Sequence, residues 1–116
     1  MKLIGSKTEE DFRKELIKIN AVHFSGNSKF RLKKFLESEG YSIKHACLLS
    51  WFQDETEDCY SVLINKKYIV TAEIERLDKT FVPKIKRIEL KEYEKGLSRM
   101  NQIKLLVAKE LIHEKT

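Results

Sequence analysis

Residues 68–90 read YIVTAEIERLDKTFVPKIKRIEL, two runs of β-branched and aromatic residues on either side of Asp78-Lys79-Thr80. Polar and apolar side chains alternate along both runs, which is the period of a half-buried strand, and the three residues between them are turn formers. Pairing residues whose numbers sum to 159 sets Leu77 against Val82, Glu75 against Lys84, Ile74 against Ile85 and Glu73 against Lys86. Apolar then meets apolar and acid meets base, as cross-strand neighbours prefer. The stretch reads as an antiparallel hairpin, and Pro83 places its second strand at a sheet edge because proline donates nothing to a ladder.

Upstream, Asn65-Lys66 or Lys66-Lys67 makes a tight turn that joins a strand over Cys59–Ile64 to the one at Tyr68–Leu77. Asp54-Glu55-Thr56-Glu57-Asp58 is a further turn, preceded by a strand over Ile43–Phe52. That strand is apolar on both faces toward its end (Ala46, Cys47, Leu48, Leu49, Trp51, Phe52), so it is expected to be the most buried. The four strands form an antiparallel meander in chain order.

Further upstream the period changes from 2 to 3.6. Thr8 can cap a helix with Glu9, Glu10 and Asp11 in its first turn, and Phe12, Leu16 and Ile19 recur as one buried stripe. Asn20 to Gly26 interrupts that pattern. Asn27 or Ser28 caps a second helix with Leu32, Phe35 and Leu36 inward, ending at Gly40. Downstream, Leu90–Lys95 forms a helical turn that stops at Gly96. Ser98 then caps a last helix reaching about His113, with Ile103, Leu106, Val107 and Leu111 on one face. The fold class is α+β: two N-terminal helices, a four-stranded antiparallel meander and a C-terminal helix packed on the sheet. At 116 residues this is one domain, 1–116.

The composition bounds the function. The chain is 41% hydrophobic and 35% charged with a single proline, which is a folding composition. The apolar stretch before Gly5 is only Leu3-Ile4, and no uncharged run is long enough to span a bilayer, so the expected setting is cytoplasmic, away from membranes. Cys47 and Cys59 are expected to be reduced there rather than bridged. The net charge of +5 lies on the helices: residues 1–45 hold ten Lys and Arg against six acids, residues 46–90 seven against eight. Such an excess favours anionic partners without naming one.

Four groups of residues carry possible chemistry. Asp54, Glu55, Glu57 and Asp58 form an acidic turn that either keeps two apolar strands soluble or meets a basic partner surface. Lys29, Arg31, Lys33 and Lys34 lie on the outward side of the second helix and suit phosphate contacts. His45 and Cys47 share a strand face as an imidazole and a thiol, but Cys47 lies in the most apolar segment, where a thiolate is disfavoured. Asp58, Glu73 and Glu75 have the order of an acid, a gap of one hairpin and two further acids on one strand face. That spacing resembles the metal site of restriction-type nucleases, in which carboxylates gather a divalent ion, although Glu75 stands where that family has lysine.

The three histidines are scattered, and no Cys-x-x-Cys, phosphate loop or cofactor fingerprint is present, so neither a metal nor a cofactor is expected. With no catalytic set, the leading expectation is a non-enzymatic protein-binding module. The style is that of an inhibitor or immunity protein that neutralises a toxin or enzyme, with the acidic turn as its contact surface. The alternative is a small nucleic-acid-binding protein using the basic face of the second helix. A metal-dependent nuclease stands third.

Overall fold

The computed structural model describes residues 9–24, 31–75 and 84–115. The elements are α1 (Glu9–Phe24), α2 (Leu32–Ser38), a 3₁₀ turn (Ile43–His45), β1 (Ala46–Gln53), β2 (Glu57–Ile64), β3 (Tyr68–Glu75), β4 (Lys84–Glu89), α3 (Leu90–Glu94) and α4 (Arg99–Lys115). The strands form one sheet in the order β1-β2-β3-β4, each pair antiparallel, as the meander reading requires. Thr8, Asn27, Ser28, Lys29 and Pro83, and the Leu77–Val82 pair, lie outside the described residues.

The register of the last hairpin differs from expectation by two residues. Glu73 faces Lys84, Ala72 faces Ile85 and Thr71 faces Lys86, so paired numbers sum to 157. A slip of two leaves every side chain on its face, so the alternation alone does not distinguish the registers. Burial does. The observed register sets Ile88 opposite Ile69, within a core cluster that also holds Cys47, Leu49 and Leu63. A sum of 159 would have set Ile88 opposite Thr71, outside that cluster.

Strand alternation gives the sheet two faces. One face carries three rows across the strands: Cys47, Leu63, Ile69 and Ile88; then Ser50, Ser61, Thr71 and Lys86; then Phe52, Cys59, Glu73 and Lys84. The first row lies beneath α1 and α4, which contribute Phe12, Leu16, Leu105, Val107, Ala108, Leu111 and Ile112. The opposite face carries Ala46, Leu48, Tyr60, Val62, Ile64, Val70, Ala72 and Ile74, with Leu32 and Leu36 of α2 packed against them. So the terminal helices share one face and α2 takes the other. The exchanged contact between α1 and α4 includes an ion pair of Arg13 with Glu110.

Local chemistry explains the element ends. Gly40 has φ +87°, with Tyr41 N–H bonded to the Leu36 carbonyl and Gly40 N–H to that of Glu37, the paired bonds of a Schellman cap. Asn65 and Lys66 both have positive φ, and Lys67 N–H closes on the Ile64 carbonyl at 3.0 Å, so Asn65-Lys66 is the tight turn. Ser98 Oγ accepts from Asn101 N–H at 3.2 Å and caps α4. Ile43–His45, expected as strand, is instead a 3₁₀ turn in which Ser42 Oγ accepts from Lys44 N–H.

Two helix readings are corrected. α1 continues through Asn20 to Phe24, because Asn20 and His23 are buried partners of the sheet rather than breakers. In α4, Leu106 is 53% exposed, whereas Leu105, Val107, Ala108, Leu111 and Ile112 are buried. At 100° per residue those five span an arc of about 160°, and Leu106 lies opposite its middle. No described helix is long and apolar enough to cross a membrane.

Candidate protein-binding surface

The acidic turn divides into parts. Asp54 and Glu55 are exposed in the bend, while Glu57 and Asp58 belong to β2. Asp54 Oδ1 accepts from the N–H groups of Thr56 and Glu57 at 3.0 and 3.1 Å, which shapes the bend. Asp58 is 6% exposed and lies opposite Ile74 in the β2–β3 ladder. Its Oδ1 accepts from Trp51 Nε1–H at 3.4 Å. Asp58 therefore serves the interior, whereas Asp54 and Glu57 border the other face.

Around Asp58 stands a buried aromatic group. His23 of α1 meets Trp51 edge-on with centroids 4.6 Å apart and Tyr60 edge-on at 5.3 Å. Burial holds the His23 imidazole below its ordinary pKa, with the charge of Asp58 pulling the other way. The ring is fully buried, so this cluster binds α1 to the β1–β2 hairpin rather than offering a general base to solvent.

The second and third rows lie outside the apolar cluster under α1 and α4, with Phe52, Lys84 and Lys86 exposed and the residues between them half-buried. Phe52 is 62% exposed and sits opposite Cys59, which in turn sits opposite Glu73, and Glu73 opposite Lys84. Glu57 adjoins this row opposite Glu75. Glu57 is held above its ordinary pKa by desolvation and by the adjacent Glu73 carboxylate, with Lys84 opposing. Desolvation, then Asp54, Glu73, Glu57 and Asp58, push the Cys59 thiol upward as well. A thiol kept protonated by desolvation and by surrounding carboxylates is the reverse of an activated nucleophile. Ligand atoms of Asp54, Glu57 and Cys59 lie within 4.8 Å of one another. This mixed set has neither the cysteine and histidine majority of structural zinc sites nor the crowded oxygen shell of calcium sites.

The other candidate constellations are separated. Asp58 shares a sheet face with Ile74, so Glu73 and Glu75 project from the opposite face and the three carboxylates do not converge on one ion. Cys47 is buried in the core opposite Leu63, and His45 belongs to the 3₁₀ turn. Neither cysteine is in a disulfide. Of the basic row, Arg31 precedes α2 and is half-buried, Lys33 is half-buried and Lys34 is exposed. Arg31 Nη2 is itself buried, without a hydrogen-bond partner among the described residues. A groove of about 380 Å³ between α3 and α4, lined by Leu97, Leu105, Leu106 and Gln102, is flanked by the Lys109–Glu94 ion pair at 3.2 Å and holds no catalytic set.

Sequence reasoning does not point to Phe52, Asn20 or His23 as site residues. It places Phe52 in a buried run, and the signal that frees it is its place after a bulge, which single-strand alternation does not encode. Compared with models of known protein families, with curated proteins and with solved structures, the chain matches none at a significant level.

Proposed function

We propose that the chain is a non-enzymatic protein-binding module whose contact surface is the open half of the helix-covered sheet face. The observation that carries this reading is Phe52, a large aromatic side chain 62% exposed on a sheet beside Asp54, Glu57 and Glu73. An exposed aromatic with a polar rim has the composition of an interface anchor, and the carboxylates select a basic partner and repel acidic ones. An inhibitor or immunity role, in which the partner is a toxin or enzyme with a basic surface, is the specific form of the proposal. The basic face of α2 has less support, since Lys34 alone of its described residues is well exposed.

The test is affinity capture from an extract of the source organism, using the parent chain and the Phe52→Ser and Glu57→Lys variants. A partner held by the parent, released by both substitutions and indifferent to nuclease treatment is the expected result. A partner retained equally by all three chains, or lost on nuclease treatment, would overturn the proposal.

A further inference from the structure

The two edges of the sheet are finished differently. On the β1 side the ladder is broken, because the register shifts between Leu48 and Ser50 and leaves Leu49 as an extra residue. Beside that bulge the Asn20 amide occupies the Leu48 backbone in both directions, accepting from its N–H at 2.7 Å and donating to its carbonyl at 3.1 Å. Bulges and covered backbone are the devices by which proteins stop a strand from being added to an edge. Among the described residues the β4 side shows no bulge and no side chain seated on its backbone; what guards it is charge, through Lys84, Lys86 and Arg87. β4 follows β3 in unbroken register from Glu89 opposite Tyr68 to Lys84 opposite Glu73. It is the last strand of the sheet, and apart from half-buried Ile88 its residues are exposed.

Charge decides what such an edge accepts. Lys84, Lys86 and Ile88 point to one face, and Ile85, Arg87 and Glu89 to the other, with three bases against one acid. A second copy joined as a two-fold antiparallel extension must pair residues of the same face, so paired numbers sum to an even value. The two registers that overlap this strand most fully set Lys86 against Lys86 or Arg87 against Arg87, and like charges directly opposite are destabilising. The edge is therefore disfavoured for self-association and complementary to acid.

We propose that the outer edge of β4 takes an acidic extended segment of a partner protein as an added antiparallel strand. Backbone hydrogen bonds would supply sequence-independent affinity, and side-chain pairs the selection. The segment has acids opposite Lys84, Lys86 and Arg87 and apolar residues opposite Ile85 and Ile88. The Arg87 guanidinium lies 3.7 Å from the centroid of the Tyr68 ring on β3, which holds it on that face of the sheet. The proposal shares Lys84 and Lys86 with the rows of the Phe52 surface, but it uses the backbone edge of β4 and an acidic partner where that surface concerns a basic one.

The test uses the full chain and a fluorescein-labelled peptide containing the run KIEEIE, followed by anisotropy at about 0.15 M salt, where exposed charges are screened beyond about 8 Å. Saturable binding is expected, weakened at least about tenfold in a peptide with lysine for each glutamate. Lys86→Glu is expected to weaken binding of the glutamate peptide and narrow that preference, and Phe52→Ser to leave it unchanged. Hydrogen exchange must show amides within residues 84–89 newly protected by the peptide. Binding of a scrambled peptide of equal composition within about twofold, absence of protection on β4, or protection that grows with protein concentration alone would each overturn the proposal. If Lys86→Glu fails to fold, the peptide comparisons and the exchange measurement on the parent chain still decide it.

Discussion

One face of the sheet is built in two halves of the same backbone and opposite fates. Its first row, Cys47, Leu63, Ile69 and Ile88, is apolar and lies under α1 and α4. Its third row, Phe52, Cys59, Glu73 and Lys84, adjoins in the same strands with an exposed aromatic at one end and an acid–base pair at the other. Burial is concentrated where two helices exclude water, and exposed side chains lie where the described helices do not reach. The difference lies in the cover, since both rows have regular strand pairing beneath them.

Mutations break the comparison most sharply at its two centres. Leu63 is fully buried in a central strand, so Leu63→Ala is expected to lower the unfolding free energy by about 2–5 kcal/mol, the cost of a cavity plus lost transfer energy. Phe52→Ala removes a larger side chain from the open half and is expected to cost less than about 1 kcal/mol. Urea denaturation of both variants checks this, and equal losses would mean that the open half is covered in solution.

The next effect tests how the cover is fastened. Asn20 Nδ2 donates to the Leu16 carbonyl at 2.7 Å as well as to Leu48, so one buried amide ties α1 to the edge of β1. Asn20→Ala leaves the Leu48 N–H and carbonyl without that amide, and a loss of about 1–3 kcal/mol is expected from the same denaturation experiment.

A smaller signal comes from His23 on the opposite face. Its folded-state pKa is depressed, so between the folded and unfolded values the unfolded chain binds the proton and the folded chain does not. Stability is then full above the unfolded histidine value of about 6.5 and declines as pH falls below it. Melting temperatures across pH 5–8, compared with those of His23→Phe, isolate this contribution, and identical profiles would remove His23 from the account.

The smallest expected effect fixes the register of the open half. A double-mutant cycle on Glu73 and Lys84 should give a coupling of about 0.2–1 kcal/mol, whereas Glu73 with Lys86 should give a weaker one.

The sequence disclosed those features that depend on one strand or one turn of helix. The meander order, the Gly40 and Gly96 stops, the Ser98 cap and a tight turn within Asn65–Lys67 all follow from local chemistry, and each is present, the turn as Asn65-Lys66. What was not legible depends on pairing between distant segments. The hairpin slipped by two because alternation is blind to even shifts, and the choice came from Ile88 meeting Ile69. The bulge at Leu49 reverses the side-chain alternation for the rest of β1, which sends Trp51 toward Tyr60 and Phe52 outward. For the candidate surface, counting acids points to Asp54, Glu55, Glu57 and Asp58 alike, but Asp58 is interior because one residue further along a strand is the other face. Asn20 read as a helix breaker by its type, and only its partner 28 residues away explains why it is tolerated.

That amide also governs how the chain fails. Ala46–Leu49 is the most apolar segment, it forms an edge strand, and its backbone at Leu48 is occupied by a side chain rather than by another strand. When α1 lifts, the segment becomes an exposed, β-prone, uncharged edge, which is the kind of surface that templates intermolecular pairing. Resistance to aggregation is thereby tied to the docking of one helix more than to global stability. We expect Asn20→Ala to aggregate at a rate that rises with protein concentration in mild denaturant, where Leu63→Ala brought to the same fraction folded does not. Light scattering of the two variants, matched in that way, would show whether the edge or the unfolded chain is the seed.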